Sequence, residues 1–345
     1  MGYILGIESS CDETAAAVLK DGRYILSSII GFQWDIHSKY GGIVPELACR
    51  RHIEVIYPIV NEAVEKAGIK LSELSAVAVT SGPGLIGALL VGVSFAKALS
   101  YSLNIPLISV NHLEGHLWAV NLTHRVQKPF IALVVSGGHT NLYMVKDVGD
   151  YKLLGNTLDD AAGEAFDKVS KILGLGYPGG PAIEKCAESG DADAIALPRG
   201  LLKKGGFDFS FSGMKTAVLS VIKSRYSYAH VDDISEILCG EDQLRSDIAA
   251  SFQKAVIDIL VLKSLSAVQK TGINRIVLSG GVACNKLLRE KMKELEVKEG
   301  ITVYIPEPKF CTDNAAMIAW VGYQYYKKGV FSDLKLNPDA QSSIG

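Results

Sequence analysis

The chain has 345 residues, 48% of them hydrophobic and 21% charged. That composition fits an ordinary globular protein of about two domains and excludes a disordered or collagen-like chain. With 35 basic and 37 acidic residues the formal net charge is −2, so no bulk positive field announces nucleic acid.

Any RNA contact would need a local basic surface or one supplied by a partner. Candidates are Arg50-Arg51, the 199–204 loop with Lys203-Lys204, and Lys223 with Arg225. Composition alone reads each of these as a solvated face. The six cysteines, Cys11, Cys49, Cys186, Cys239, Cys284 and Cys311, are scattered without a C-x-x-C pair. This argues against a zinc ribbon or a disulfide framework and fits a reducing, cytoplasmic setting. No positive stretch precedes the first apolar run, so no signal peptide is expected. The longest uncharged apolar stretch, 84–96, falls short of the roughly 20 residues that cross a bilayer, and no membrane association is expected.

In chain order, Tyr3 to Ile7 reads as a strand, and Glu8-Ser-Ser-Cys-Asp-Glu-Thr14 as a polar turn. Ala15 to Leu19 and Tyr24 to Ile29 then complete a meander. A helix is expected over His52 to Ala67, a strand over Ser75 to Thr80 and a small-residue helix over Leu85 to Leu103. A strand over Pro106 to Val110 and a helix from His112 to Leu122 follow. The meander then recurs as Phe130 to Val135, the turn Ser136-Gly-Gly-His-Thr140, Asn141 to Lys146, and Asp150 to Leu154. Further helices are expected at Ala161 to Leu173, Asp247 to Gln269 and Asp313 to Lys327, with strands at Arg275 to Leu278 and Thr302 to Ile305. The segments ILGIESSCDETAAAVLKDG and IALVVSGGHTNLYMVKDVG are one device used twice. They imply a duplicated α/β lobe, 1–127 and 128–345, around a cleft, with the last helix (313–327) packing back on the first lobe.

Four constellations carry chemistry. In Asn111-His112-Leu-Glu-Gly-His116 the two histidines share one helix face and can hold a metal. Spacing alone weighs that evenly against a hydrogen-bonded pair. Leu113 stands where a zinc peptidase needs its glutamate base, which weakens a peptidase reading. Asp313 is a plausible further ligand. The Glu8 to Thr14 and Ser136 to Thr140 turns could present backbone N–H groups to phosphate, with Glu13 orienting metal-bound or leaving phosphate, or merely capping its turn. Ser279 to Asn285 leaves a strand through Gly-Gly, and Asn285 either binds a ribose or base or caps a helix. Asp167, beside the Gly174 to Pro181 loop with Gly180, suits ribose hydroxyls as well as it suits a plain charged helix face.

Three common motifs fail. Gly82-Pro-Gly84-Leu-Ile-Gly87 matches G-x-G-x-x-G, but no acid ends the next strand, so these glycines read as a tight strand-to-helix turn rather than a dinucleotide site. No P-loop signature and no G-x-S-x-G occur.

Taken together, the residues resemble the TsaD family of tRNA N6-adenosine threonylcarbamoyltransferases, and the H-x-E-G-H form resembles its bacterial members. The resemblance is carried by Gly6-Ile-Glu-Ser-Ser-Cys-Asp-Glu-Thr14, Gly41-Gly-Ile-Val-Pro-Glu46, the His112–His116 motif and Val134-Val-Ser-Gly-Gly138. It continues through Gly163-Glu-Ala-Phe-Asp-Lys168, Tyr177-Pro-Gly-Gly180, Phe211-Ser-Gly-Met-Lys-Thr216, Ala250-Ser-Phe-Gln253, Gly280-Gly-Val-Ala-Cys-Asn285 and Cys311-Thr-Asp-Asn314. It implies an actin-like ATPase fold, hsp70- and sugar-kinase-like. It implies one divalent Fe2+ or Zn2+ on His112, His116 and Asp313. Implied substrate contacts are Val134, Val135, Ser136, Gly137, Gly138, Asp167, Gly180 and Asn285, with Glu184 at a place where many members carry Asp. The implied donor is threonylcarbamoyl-AMP, made by a separate synthase, in a site for ATP- or ADP-type nucleotides. The implied acceptor is an adenosine in a tRNA anticodon loop, and the implied partners are a TsaB-like paralogue and a TsaE-like ATPase. Rival expectations are a non-catalytic nucleotide-binding subunit of this fold and a metallopeptidase. The stretch from Tyr226 to Glu241 has no functional assignment.

Overall fold

The computed structural model describes residues 2–40, 42–202, 205–226 and 240–344. Gly41 of the Gly41–Glu46 loop, the basic pair Lys203-Lys204, and positions 227–239 of the unassigned stretch, with Cys239, lie outside the described residues. The chain forms two compact units. Unit 1 comprises Met1–Val126, Asp147–Tyr151 and Pro306–Gly345, and unit 2 comprises Gln127–Lys146 and Lys152–Ile305.

Unit 1 is built on a five-stranded sheet of order β3-β2-β1-β4-β5. Its strands are β1 (Tyr3–Glu8), β2 (Thr14–Lys20), β3 (Tyr24–Gly31), β4 (Leu74–Gly82) and β5 (Leu107–Asn111). The meander β1–β2–β3 is antiparallel, whereas β1, β4 and β5 run parallel, as helical crossovers require. The helices are α1 (Pro45–Lys66), α2 (Ile86–Leu103), the seven-residue α3 (His112–Trp118) and, from the far end of the chain, α9 (Ala315–Lys328). Leu5, Ile7, Val77 and Val79 of the sheet pack with Ile56, Val60 and Val93 of α1 and α2 in one apolar core.

Helix α9 packs against β1, β2 and β4, and the packing is backbone-close. A Cβ on Gly6 would lie 2.2 Å from the Ala315 carbonyl oxygen, so only glycine admits the helix there. Residues 330–344 run along unit 1 as a strap. Ser332 N donates to the Leu107 carbonyl, Asp339 N to the Ser81 carbonyl, and Asn111 Nδ2 to Ser342 Oγ.

Unit 2 repeats the plan. Strands β6 (Phe130–Val135), β7 (Thr140–Asp147), β8 (Asp150–Asn156), β9 (Arg275–Ser279) and β10 (Thr302–Tyr304) form a sheet of order β10-β9-β6-β7-β8. With β6 in the place of β1, that is the same strand order and the same pairing sense, and the duplication read from the two meander segments is visible in the topology. Its helices are α4 (Ala162–Ile172), α5 (Gly179–Ala187), α6 (Ser212–Arg225), the 30-residue α7 (Asp242–Thr271) and α8 (Lys286–Glu299).

Several boundaries differ from expectation for local reasons. Helix α1 starts at Pro45, where proline suits the first helical turn. The 174–181 segment is not all loop, because α5 begins at Gly179 straight after Pro178. Helix α9 begins at Ala315 rather than Asp313, since the Asn314 side chain accepts from Met317 N as an N-cap. Helix α6 carries no strong periodic signal and was not expected. The apolar stretch at 84–96 belongs to α2, which at 18 residues is long and apolar enough to reach the lower bound for a membrane span, although it packs on β4 and α1.

Candidate active site

In unit 1, Asn111 ends β5, and its side-chain oxygen accepts from Leu113 N and Glu114 N to start α3. This cap places His112 and His116 one turn apart, with ring centroids 4.7 Å apart and edge to face. Asp313 precedes the Asn314 cap of α9, and its Oδ1 lies 3.0 Å from His116 Nε2 and 3.5 Å from His112 Nε2. The three donor atoms lie within 4.8 Å of one another.

His112 Nδ1 faces the other way, 3.0 Å from Glu8 Oε2 and 3.1 Å from Ser10 Oγ. Glu8 is wholly buried and accepts from Thr80 Oγ1 at 2.6 Å and from Ser10 N at 2.6 Å. A carboxylate on one imidazole nitrogen fixes the ring so that the other can face a metal. Glu8 and Ser10 were missed as contributors. The one sequence signal was an acid ending an otherwise apolar strand.

The electrostatics of this corner favour a cation. Burial works against charge on His112, but Asp313 and Glu8 outweigh it and push the imidazole up to about 9. Burial likewise opposes charge on Glu8, yet His112 holds that carboxyl below its ordinary range. Glu13 stands well above the carboxylate range because it is buried and faces Asp313 and Asp12. Acid thus outnumbers base in a largely buried corner.

The residues fit a divalent metal on two observations. Two imidazoles and a carboxylate are a common zinc or iron donor set, and ligands about 2.0–2.2 Å from one ion sit about 3–4 Å from each other. Both imidazoles are buried, and the three donor atoms lie close enough for one ion to meet all of them. Glu114 faces elsewhere, accepting from Tyr151 Oη and from Tyr325 Oη at 2.7 Å. It is not placed as a base next to His112.

A pH dependence follows for metal-free protein. The folded His112 value lies above its ordinary 6.5. Its stabilising contribution is therefore full below about pH 6.5 and is lost as pH rises through about 9. The melting temperature of chelator-treated protein is expected to fall across that window, and a flat profile would contradict the assigned His112 environment.

In unit 2 the expected substrate residues converge on neighbouring loops. The Val134 and Val135 side chains are fully buried in β6, so they shape the strand and offer a ligand no side chain. Ser136 N donates to the His139 carbonyl at 2.8 Å, closing the turn. Gly137 and Gly138 at its tip are exposed, with open space where side chains would stand. Gly163 N, at the start of α4, donates to the Ser136 carbonyl. Gly280 adopts φ +93°, and a Cβ there would lie 2.2 Å from the Val135 carbonyl oxygen. The two glycine turns therefore lie against each other.

Asp167 accepts from Gly179 N at 2.7 Å and ties the glycine-rich start of α5 to α4. The Gly180 face is open. Asn285 caps α8 by accepting from Leu288 N, and its Nδ2 donates to Gln253 Oε1 at 2.8 Å. Glu184 accepts from Lys286 N at 2.6 Å at the same helix start. Capping is thus a demonstrated task of Asn285 and Glu184. Asp167→Ala removes a charge-assisted hydrogen bond and is expected to weaken adenine-nucleotide binding by roughly 1–3 kcal/mol, read by titration calorimetry. Unchanged affinity would remove Asp167 from the expected nucleotide contacts.

Solved structures of the same shape define the class. The chain superposes on component A of the (R)-2-hydroxyglutaryl-CoA dehydratase of Acidaminococcus fermentans with a TM-score of 0.52 at 15% identity, covering 95% of this chain and 100% of that one. It superposes on HypF of T. kodakarensis with a TM-score of 0.64 at 13% identity, covering 97% of this chain and 50% of that one. Together with the duplicated sheets, these likenesses establish the actin-like ATPase fold, here carrying a histidine–aspartate cluster. The family model described as TsaD, tRNA N6-adenosine threonylcarbamoyltransferase, matches residues 24–320. Curated relatives of that name are 52% identical over 334 residues in Syntrophotalea carbinolica, spanning 97% of this chain and 94% of the relative, and 52% identical over 334 residues in Clostridioides difficile, spanning 96% of each. The chain belongs to the TsaD family.

Proposed function

We propose that this protein transfers the threonylcarbamoyl group of threonylcarbamoyl-AMP to N6 of adenosine 37 in tRNAs that read codons beginning with A. Membership of the TsaD family over nearly the whole chain supports this reading most strongly. The His112–His116–Asp313 cluster supports the metal dependence.

His112, His116 and Asp313 hold one Fe2+ or Zn2+, which when bound supplies a Lewis acid. Glu8 and Ser10 orient His112. The exposed N–H groups of Gly137 and Gly138 bind phosphate, while Asp167, Gly180, Asn285 and Glu184 hold or frame the nucleoside. Glu13 orients metal-bound or leaving phosphate. The adenosine amine attacks the carbamoyl carbon, the bond from that carbon to the AMP phosphate oxygen breaks, and AMP leaves. No nucleophilic side chain is assigned, so positioning and electrostatics carry the rate.

The donor comes from a separate synthase. The tRNA presents its anticodon loop, where bases splay out. Partners are a TsaB-like paralogue and a TsaE-like ATPase. The exposed Ile53 and Tyr57 of α1 and Ile86, Leu90 and Tyr101 of α2 offer the paralogue an apolar helical face. The setting is the cytoplasm, in keeping with Cys11, Cys49, Cys186, Cys284 and Cys311 lying outside any disulfide.

The test is nucleoside mass spectrometry of unmodified tRNA incubated with threonylcarbamoyl-AMP, this protein and its partners. Threonylcarbamoyladenosine is the expected product. Its absence with folded, metal-loaded protein and both partners present would overturn the transferase reading.

A further inference from the structure

Helix α3 carries both histidines of the cluster on seven residues, too few to hold a shape unaided. Its front is set by Asn111, which caps the first turn. Its back meets a polar node. Both Tyr151 Oη and Tyr325 Oη donate to the single oxygen Oε1 of Glu114, which is 3% exposed. Trp118 Nε1 donates to Tyr151 Oη at 2.8 Å, Gly149 N donates to the same oxygen at 2.9 Å, and Trp118 stacks on Trp320 with centroids 5.2 Å apart. The tyrosines come from the start of β8 and from α9, the helix that follows Asp313.

The position of this node on the helix is informative. At about 100° per residue, His112 and His116 lie about 40° apart, and Glu114 lies about 160° from each, diametrically behind them. Rotation of α3 about its axis would swing both imidazoles away from Asp313. Two hydroxyls holding one oxygen on the opposite face resist that rotation. A buried carboxylate is costly unless its partners are well placed, and an apolar residue would fill a merely structural position more cheaply.

We infer that Glu114, clamped by Tyr151 and Tyr325, is a positioning residue that sets the rotation of the metal-ligating helix. This rests on the metal reading of His112, His116 and Asp313. Losing an orienting partner of a metal-ligating histidine typically costs about 10- to 100-fold in metal affinity. Glu114→Ala and the double variant Tyr151→Phe/Tyr325→Phe are expected to weaken zinc binding by that factor, measured by competition against a chromogenic chelator. Glu114→Gln retains an oxygen that can accept both hydroxyls, so it is expected to restore affinity to near the wild-type value. With tRNA as varied substrate, kcat is expected to fall in the weakened variants while KM stays.

Wild-type zinc affinity in Glu114→Ala, or equal losses in the alanine and glutamine variants, would overturn the clamp. Where Glu114→Ala fails to fold, the double tyrosine variant decides. If the wild-type protein binds neither zinc nor ferrous iron, the metal reading fails. The clamp is then judged on metal-free protein by the imidazole 15N signals of His112 and His116. Displaced signals in Tyr151→Phe/Tyr325→Phe would support it, and unchanged signals would overturn it.

Discussion

His112→Ala is expected to abolish both stoichiometric metal binding and product formation. The imidazole sits between two carboxylates, with Nδ1 3.0 Å from Glu8 Oε2 and Nε2 3.5 Å from Asp313 Oδ1. Its removal deletes a donor atom from the cluster and leaves buried Glu8 without its largest counter-charge. The drop in metal affinity should therefore exceed the roughly 10- to 100-fold that follows loss of a histidine's hydrogen-bond partner. An uncompensated buried carboxylate commonly costs about 3–5 kcal/mol of stability, so the variant should also melt earlier at neutral pH. Metal analysis by inductively coupled plasma spectrometry, with tRNA nucleoside analysis, reads both effects. A variant that keeps its metal and its product would remove His112 from the site.

The second large effect is expected at Gly280. Its φ of +93° already disfavours any side chain, and a methyl would meet the Val135 carbonyl oxygen at 2.2 Å. Gly280→Ala carries backbone strain of about 1–3 kcal/mol and overpacking of about 1–3 kcal/mol. The turn after β9 must then move off the end of β6, taking Gly281 and the Asn285 cap with it. A lower melting temperature and an adenine-nucleotide affinity reduced at least about tenfold are expected by calorimetry. An alanine variant that matches wild type in both would show that the two glycine turns do not depend on their close contact.

The duplicated architecture was legible because each meander announces itself locally, through continuous apolar runs and a small-residue turn. The strand order repeats faithfully in the two sheets. The histidine pair was legible as a pair, since i and i+4 are neighbours on any helix. Asp313 was not fixed by spacing, because it meets His116 across 197 positions; the residues offered it only as a plausible further ligand, and the family resemblance assigned it to the metal. Glu8 escaped notice because its role appears only when β1 and α3 are brought together. Tyr151 and Tyr325 looked like ordinary aromatic residues until their hydroxyls were seen on Glu114. Helix α5 was hidden by glycine and proline, which normally punctuate loops. Here Pro178 opens the helix and Asp167 holds its first amide.

The division of the chain carries a consequence for biosynthesis. Unit 2 is contributed between residues 127 and 305, whereas unit 1 needs residues 306–344 to supply α9, the strap and Asp313. On a translating ribosome, His112 and His116 emerge long before the carboxylate that completes their cluster. Helix α9 must also arrive to cover β1, where Gly6 leaves its backbone bare. The inserted unit can therefore mature while its host is still open. A chain stalled before residue 313 would lack one of the three clustered donors, so an ion that needs all three would be captured only once the host unit is complete.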